Sequence, residues 1–358
     1  MQVLFKTCYE DDIRFLAKTG EKVRVGLVIA ALLAAPLWLQ NYYLAELGLL
    51  LVYAIAGIGL MILTGHTGQV SFGHAAFLGI GAYCHSILIS HGVPFSVSVI
   101  LTTAFSAAIG MALGRSASRM HGFYLAIATL AFLILVETLL GEWTSMTGGY
   151  AGLKVPALVV FGMPLKAVWQ QYYLDLFFVL IVVMAAANLF RTSTGRSFLA
   201  VRDSELSARS LGVNVEWVKI QSFGVSAAIT GLAGVLLAHH LHYLSPEVFN
   251  VLESLKLMLM IVVGGLGSIL GAIFGAILIS LLPISISFLK DVLPPGIGQQ
   301  AGLEPLLFGL IIVLFIVFEP LGIYGRWMKL RYFFETFPYC RKSSFVRQKS
   351  YLRTERLR

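Results

Sequence analysis

Charged residues are scarce in this sequence. Asp, Glu, Lys and Arg make up 12% of its 358 residues, whereas hydrophobic residues make up 58%. Soluble domains carry roughly 25% charged residues, so this composition excludes a soluble fold of this size. Apolar runs of about 20 residues, the length that crosses a hydrocarbon core, recur along nearly the whole chain. We therefore expect an all-α integral membrane protein, a polytopic helical bundle of about 8–10 transmembrane segments.

Cysteine and nucleotide-binding motifs are also sparse. The three cysteines, Cys8, Cys84 and Cys340, lie far apart, so neither a disulfide framework nor a metal site follows from them. The sequence has no GxxxxGK[ST] loop to hold nucleotide phosphates, so the chain does not bind ATP in that way. We expect no cofactor on this chain.

Acidic residues inside the predicted full spans are few, and each lies near a predicted end: Glu46, Glu137, Asp175 and Glu319. A proton- or sodium-driven carrier is expected to hold such groups near the middle of the bilayer. None of these four suits a central relay. We therefore expect the energy for any transport to come from a partner.

The net charge of +8 is confined to one end of the chain. Residues 325–358 contain ten Lys or Arg against Glu335 and Glu355, so this segment carries the whole excess. A basic tail directly after an apolar run is typical of a cytoplasmic flank or of contact with anionic membrane lipid. We expect no nucleic-acid partner.

The same positive-inside rule orients the rest of the chain. The loop from Arg191 to Lys219 holds five Lys or Arg and is expected in the cytoplasm, which places the 141–171 loop on the opposite, periplasmic side. The acidic N-terminal residues do not suit a cleavable leader, so the first apolar run is expected to stay as a span. The predicted parts are a cytoplasmic segment 1–24, a transmembrane domain 25–324 with a cytoplasmic coupling loop 191–220, and a basic cytoplasmic tail 325–358.

Eight apolar runs predict full spans, and a ninth run is interrupted. The eight are Val25–Leu39, Leu44–Leu63, Val70–Ser90, Val93–Leu113, Gly122–Leu140, Tyr172–Phe190, Gln221–Leu244 and Pro305–Tyr324. The ninth, Ser254–Leu282, is broken by Gly264, Gly265 and Gly267. A single crossing by this run would leave the basic tail outside. We therefore expect it to enter and return on one side as two half-helices, buried in protein or lining a cavity.

A similar glycine-rich break, Gly65–Gly73, lies in the first half of the chain. Paired broken segments predict an internal repeat around a central translocation path, although close helix packing at GxxxG spacings explains the glycines equally well. The candidate path-lining residues are Thr67, Gln69, Ser71, Phe72, His74, Gly264, Gly265 and Ser268. His66 and His74 could bind substrate, but hydrogen bonding to freed backbone groups is the favoured role.

Three further histidines, His239, His240 and His242, stand together at the end of an apolar run. A metal site there is an open alternative, but no Asp, Glu or Cys lies at helical spacing beside them except the distant Glu247. We therefore expect no metal site.

A short helix is predicted in the cytoplasmic loop, from Ser204 to Leu211. Asp203 can cap its first amides and Gly212 is suited to end it. Such a helix would present Leu206 and Arg209 on a protruding surface, which favours a docking site for a cytoplasmic partner. The alternative is an amphipathic loop lying on the membrane.

Several motifs together resemble the LivM-type permeases of branched-chain amino acid ABC importers. They are GHTGQVSFGHAAFLGIGAY (65–83), GFYLAIATL (122–130), TSMTGGYAGL (144–153), RDSELSARSLGV (202–213) and GGLGSILGAIFG (264–275). The resemblance covers about residues 44–320. It departs from the family pattern at Ser204, where Asn is usual, at Ser210, and at Ala151, which removes the Asn of a TGGxNG motif.

This resemblance implies a bacterial inner-membrane importer with several subunits. Its partners would be a LivH-type permease, two ATP-binding subunits that hold ATP and Mg²⁺, and a periplasmic solute-binding protein that delivers an amino acid. Urea, small amides and aromatic amino acids are related substrates. The residues that match the family's coupling segment, which docks on an ATP-binding subunit, are Arg202, Asp203, Glu205, Ala208, Arg209 and Gly212. A self-sufficient secondary carrier or channel, and an integral-membrane enzyme that uses the histidines, stay open as alternatives.

Overall fold

The structure of the protein is a computed structural model. It describes residues 19–120, 122–160, 162–165, 167–292 and 322–336, with isolated positions between 306 and 317. The predicted run Pro305–Tyr324 therefore lies mostly outside the described residues, as do the first 18 residues and the end of the basic tail.

The described residues are almost entirely helical. In chain order the α-helices are α1 (Thr19–Trp38), α2 (Asn41–Met61), α3 (His74–Ser90), α4 (Phe95–Ala117), α5 (Phe123–Glu142), α6 (Thr144–Thr147), α7 (Val168–Arg191), α8 (Ser193–Asp203), α9 (Glu205–Ser210), α10 (Val215–Leu241), α11 (Val251–Gly264), α12 (Ile269–Val292) and α13 (Gly322–Thr336). Helix α2 continues into a π-helical turn, Ile62–His66, and short 3₁₀ turns cover Gly149–Ala151 and Pro246–Phe249.

Only short β ladders are present in the described part of the chain. Strand β1 (Leu153–Lys154) pairs antiparallel with β4 (Tyr243–Leu244). Strand β2 (Val159–Val160) pairs antiparallel with β3 (Met163–Pro164). The first ladder ties the predicted periplasmic loop to the end of α10.

Six helices among the described residues are long and apolar enough to cross a membrane: Asn41–His66, Phe95–Ala117, Phe123–Glu142, Val168–Arg191, Val215–Leu241 and Ile269–Ile286. The predicted all-α polytopic membrane fold is confirmed. Two further predicted spans fall on shorter apolar helices, Val23–Trp38 and His74–Ser90.

Helix α10 lies at the centre of the bundle, where small residues bring α2, α3 and α4 against it. A Cβ at Gly81 of α3 would overlap the Gly231 carbonyl of α10, and one at Gly110 of α4 would lie 2.7 Å from the Phe223 carbonyl. Lipid tails provide no hydrophobic force between helices, so such close approach is how membrane helices gain dispersion contact. For these glycines the packing interpretation is correct.

Helices α11 and α12 form an antiparallel hairpin whose turn is the predicted glycine break. A Cβ at Gly264 would overlap the Gly271 carbonyl, and one at Gly275 would overlap the Met260 carbonyl. Gly265 and Gly267 adopt φ values of 124° and 84°, which favour glycine. The chain therefore turns back on itself at this break, as predicted.

The prediction of two half-helices is wrong for the second arm. Helix α11 has 14 residues, too few for a hydrocarbon core of about 30 Å at 1.5 Å per residue. Helix α12 has 24 residues and is long enough to cross. The error arose because the apolar run was read only to Leu282, whereas the helix continues to Val292.

Candidate functional site

Helices α8 and α9 form a small projection at one end of the bundle, between α7 and α10. The Thr192 side chain caps α8 by accepting from the Gly195 amide. The Ser204 hydroxyl caps α9 by accepting from the Ser207 amide at 3.2 Å. The prediction that Asp203 is this cap is therefore wrong, because Asp203 is the last residue of α8 and pairs with Arg202 instead.

The end of α9 follows the prediction. Gly212 adopts φ 84°, and its amide donates to the Arg209 carbonyl at 3.0 Å. The Val213 amide then reaches back to the Ala208 carbonyl at 3.0 Å. A left-handed glycine with back-bonds of this kind is a common helix stop.

One face of α9 is fixed to the bundle by a partly buried ion pair. Lys219 of α10 places its Nζ atom 2.7 Å from Glu205 Oε1, and its side chain is 2% exposed. The same Nζ lies 3.4 Å from the Ser118 carbonyl at the end of α4. Ala208 packs inward with 1% of its surface exposed. Glu205 and Ala208 thus hold α9 in place.

The opposite face of α9 is open. Leu206 is 82% exposed and Leu211 is 81% exposed, and Arg209 lies on the same exposed side. Apolar side chains presented beside a basic one on a projection form a surface suited to another protein.

Arg202 links this projection to the interior. Its Nη1 donates to the Gly65 carbonyl at 3.1 Å, and its Nη2 lies 3.1 Å from Asp203 Oδ1. The Gly65 carbonyl belongs to the π-helical turn at the end of α2. Arg202 also approaches Gly68, where a Cβ would lie 3.2 Å from Arg202 Cγ. Arg202 therefore joins α8 to the first glycine break.

The two glycine breaks predicted from the sequence meet at this same place. A Cβ at Gly65 would lie 2.5 Å from the Gly267 amide nitrogen, and one at Gly267 would lie 3.6 Å from Arg202 Nη1. Gly322, at φ 70°, approaches Gly265 on the other side, where its Cβ would lie 2.8 Å from the Gly265 Cα. We call Gly65, Gly267 and Arg202 the glycine seam. Arg202 places α8 in direct contact with this seam.

The first predicted path segment is a buried polar chain. Gln69 donates from Nε2 to Ser222 Oγ at 2.8 Å and to Thr67 Oγ1 at 3.2 Å. Thr67 in turn donates to the Leu63 carbonyl of the π-helical turn, which also accepts from the Gln69 amide at 3.2 Å. Both side chains are 3% exposed. In this conformation Thr67 bonds irregular backbone and Gln69 bonds the hydroxyls of Thr67 and Ser222, and a role in lining the path stays a prediction.

His74 is held in a similar way at the start of α3. Its ring nitrogens lie 3.0 Å from Ser71 Oγ and 2.7 Å from Ser226 Oγ, and it has no exposed surface. Its amide donates to Ser254 Oγ at 3.1 Å, and Ser254 donates to the Phe72 carbonyl at 2.6 Å. The His74 ring thus bonds two serine side chains rather than the freed backbone groups that were its favoured partners.

The second predicted path segment is the turn of the α11–α12 hairpin. Ser268 Oγ accepts from the Gly271 amide at 2.8 Å and so caps α12, while Gly264 and Gly265 are buried against α12 and Gly322. The two segments that carry the candidates thus meet at the glycine seam, although no seam residue is itself a path-lining candidate.

The outer histidines belong to two hydrogen-bonded pairs. His239 Nε2 lies 3.0 Å from His85 Nε2, whose ring also bonds Ser98 at 2.8 Å. His240 Nε2 lies 2.8 Å from Asp175 Oδ2 of α7. Sequence spacing missed Asp175 because it arrives from another helix. Within the described ranges no group of three or more His, Cys, Asp and Glu side chains could hold a metal ion.

An ion pair that was not predicted from the sequence lies at the middle of the bundle. Glu253 and Lys256 of α11 form an ion pair of 2.7 Å beside Tyr53 of α2. Tyr53 lies at the middle of the 26-residue span Asn41–His66. The sequence did not reveal this pair because Glu253 and Lys256 stand at the start of the interrupted run Ser254–Leu282, and only their position beside Tyr53 places them level with the middle of a span.

Crossing helices, two helix breaks that meet, and a projection linked to them together define a polytopic membrane transport subunit rather than an enzyme. Comparisons with known proteins agree. The family model for the permease component of branched-chain amino acid transport systems matches residues 42–317. The chain belongs to this family.

Several curated relatives are similar over most of their length. The high-affinity branched-chain amino acid transport system permease protein LivM of Escherichia coli K12 is 30% identical, over 85% of this chain and 76% of that protein. The corresponding protein BraD of Pseudomonas aeruginosa is 28% identical, over 76% and 92%. The autoinducer 2 import system permease protein LsrC of E. coli O9:H4 is 26% identical, over 74% and 78%.

Proposed function

We propose that this chain is the membrane-spanning subunit of an ATP-driven importer that admits branched-chain or related amino acids. Its partners would be a LivH-type permease, two ATP-binding subunits carrying ATP and Mg²⁺, and a periplasmic solute-binding protein. The chain would lie in the bacterial inner membrane with both termini in the cytoplasm, segments 1–24, 191–220 and 325–358 inside, and the 141–171 loop outside. The names of LivM and BraD support the substrate class.

One observation carries this proposal: the projection that would dock on an ATP-binding subunit is hydrogen-bonded through Arg202 to the first glycine break, at the point where Gly65 packs against Gly267 of the second break. Leu206, Arg209 and Leu211 would contact the ATP-binding subunit. Glu205 and Ala208 would hold α9, and Gly212 would end it. ATP-driven closure of the partner subunits would move α8 and α9 together and shift the glycine seam, opening the path to the cytoplasm.

The external loop would receive the solute-binding protein. Thr147 Oγ1 donates to the Leu140 carbonyl at 2.7 Å, and Gly148, Gly149 and Gly152 all have positive φ, so residues 147–152 have a fixed shape. Tyr150 is 58% exposed on this loop. Because Ala151 replaces the usual Asn, the same architecture could serve aromatic amino acids, small amides or urea.

The test is uptake into proteoliposomes that contain the complete set of subunits. We expect radiolabelled L-leucine to accumulate only with ATP inside and binding protein outside, and phenylalanine, acetamide and urea to compete less well. Accumulation by this chain alone, driven by a proton or sodium gradient, would instead establish the secondary-carrier alternative, which the mid-bundle pair Glu253–Lys256 keeps open.

A further inference from the structure

Residues Tyr53, Glu253 and Lys256 form a polar cluster at the depth where a membrane protein is otherwise apolar. Helices α2 and α11 run side by side in the same direction: Tyr53 lies beside Lys256, a Cβ at Gly57 would touch Met260, and Gly65 lies against Gly267. Tyr53 is near the centre of the Asn41–His66 span. Glu253 and Lys256 therefore lie near the centre of the bilayer.

The cluster is electrically balanced but incompletely satisfied. Lys256 Nζ lies 2.7 Å from Glu253 Oε2 and 5.9 Å from the centre of the Tyr53 ring. The Tyr53 hydroxyl hydrogen-bonds the Glu253 carboxylate, but the Oε1 atom of that carboxylate is buried and has no hydrogen-bond partner within 3.5 Å among the described residues. Glu253 as a whole is 9% exposed. A buried carboxylate oxygen without a donor is costly, so this atom is available to a ligand that brings one.

Lys256 shows which way the cluster opens. Its side chain is 37% exposed in the isolated chain. A charged ammonium at the centre of a bilayer does not face lipid, and such groups face the protein interior or a water-filled cavity. The face that carries Lys256 is therefore directed towards a translocation path or the partner permease beside it.

We propose that Tyr53, Glu253 and Lys256 form a binding site for the zwitterionic α-amino acid backbone of the transported solute. The substrate ammonium would donate to Glu253 Oε1, and the substrate carboxylate would accept from the two ammonium hydrogens of Lys256 not directed at Glu253. The Tyr53 ring would face the apolar part of the solute. The site carries one negative and one positive charge, and so does a zwitterionic solute. Binding therefore leaves no unpaired charge in the membrane. This inference rests on the proposed function.

The competing explanation is structural. Glu253 is the third residue of α11, and its amide donates to the capping Asn250 side chain at 3.0 Å, so the acidic side chain also stabilises the start of the helix. The ion pair with Lys256, three residues further along α11, also stabilises the helix. A structural role predicts changes in folding and insertion, whereas a binding role predicts changes in which solutes are recognised.

The experiment uses the complete importer, with Cys8, Cys84 and Cys340 replaced by Ser and one new cysteine introduced as Tyr53→Cys. Labelling by a membrane-impermeant, positively charged methanethiosulfonate reagent measures access from water. We expect labelling that L-leucine slows by about tenfold, while leucinamide, which lacks the carboxylate, and 4-methylpentanoate, which lacks the ammonium, protect weakly. The tenfold value is what one charge-assisted hydrogen bond contributes at its lower limit.

Two added substitutions then test the assigned partners. Lys256→Gln should remove the preference for L-leucine over leucinamide, and Glu253→Gln should remove the preference for L-leucine over 4-methylpentanoate. Phe105→Cys is the matched control: it lies at the middle of the Phe95–Ala117 span, on a helix that carries no residue of the cluster, is 51% exposed and should be unreactive because it faces lipid.

Absence of labelling at Tyr53→Cys in every nucleotide state, or protection that does not distinguish the three solutes, would overturn the proposal. So would unchanged solute preferences in both added variants. In each case ATP-dependent leucine uptake by the unsubstituted complex would remain. Failure of that uptake would instead refute the proposed function.

Discussion

The Arg202 guanidinium donates a hydrogen bond to the Gly65 carbonyl across 3.1 Å, although the residues are 137 positions apart. Gly65 contacts Gly267 so closely that a Cβ would lie 2.5 Å from the Gly267 amide. One side chain on the projection thus reaches the point where both broken helices meet. The sequence alone assigned Arg202 to the surface that docks on a partner, but the side chain is directed at the interior.

Replacing Arg202 with Lys should uncouple ATP hydrolysis from transport. Arg202 reaches Gly65 and Asp203 at once through separate nitrogens of one planar group. A Lys side chain is shorter and ends in one compact ammonium group, so it cannot bond Gly65 and Asp203 at the same time. With one charge-assisted hydrogen bond lost, we expect leucine uptake to fall about tenfold or more. The measurement is the ratio of leucine imported to ATP hydrolysed in proteoliposomes.

The control for this variant is Arg115→Lys, at the exposed end of α4. It makes the same chemical change at the same end of the bundle without touching either glycine break. Equal ratios of leucine to ATP in Arg202→Lys and the unsubstituted importer would show that the contact with Gly65 transmits nothing.

The ion pair between Glu205 and Lys219 should stabilise α9 on the bundle. Glu205→Gln leaves the buried ammonium of Lys219 without its counter-charge, which costs roughly 3 kcal/mol in comparable buried pairs. Lys219→Met removes the buried ammonium, so the double variant leaves no unpaired charge at that position. We expect Glu205→Gln to speed tryptic cleavage after Arg209, and the double variant Glu205→Gln with Lys219→Met to return towards the original rate.

Cleavage of the double variant tests whether the ion pair holds α9 in place, independently of whether α9 binds a partner. Glu216→Gln, an exposed acidic residue in the first turn of α10, is the control and should leave cleavage unchanged. Cleavage equally fast in the single and double variants would mean that the pair does not hold α9.

Gly65→Ala should impair the importer although the change is one methyl group. The new Cβ would lie 2.5 Å from the Gly267 amide nitrogen and 2.8 Å from its Cα, so backbone must move. Overpacking of this kind costs about 1–3 kcal/mol. We expect a complex with a lower thermal midpoint and several-fold slower uptake. Gly26→Ala, which has nothing within 4 Å of the new Cβ, should change neither.

Repetitive features of the fold could be predicted, whereas pairings between distant segments could not. Long apolar runs in the sequence predicted the spans α2, α4, α5, α7 and α10. Glycines predicted the break at Gly265 and the helix end at Gly212, and both residues have positive φ in the structure. These signals are local. The contact of Arg202 with Gly65 and that of Asp175 with His240 depend on how separate helices pack. The spacing of residues along the chain does not predict such packing.

Two local predictions failed for physical reasons. Asp203 was expected to cap α9, but Ser204 is one residue nearer and has the extended backbone that a cap requires, with φ −165°. Glu253 and Lys256 were overlooked because they stand at the start of the interrupted run Ser254–Leu282, and only the packing of α11 against α2 brings them level with the middle of a span.

The exposed face of α9 should carry affinity for the ATP-binding subunit. Leu206 is 82% exposed on the projection, so Leu206→Asp removes no internal packing and should change the stability of the chain by less than about 0.5 kcal/mol. In an interface, the same change buries an unpaired charge where an apolar side chain sat. Loss of one apolar anchor commonly costs about 2 kcal/mol, so we expect the ATP-binding subunit to dissociate roughly thirtyfold more readily. The measurement is co-purification of that subunit with detergent-solubilised chain, alongside Trp217→Tyr, which alters an exposed aromatic residue of α10 beside the projection. Full co-purification of the Leu206→Asp variant would place the docking surface elsewhere on the chain, because a buried unpaired charge at position 206 would have weakened an interface formed there.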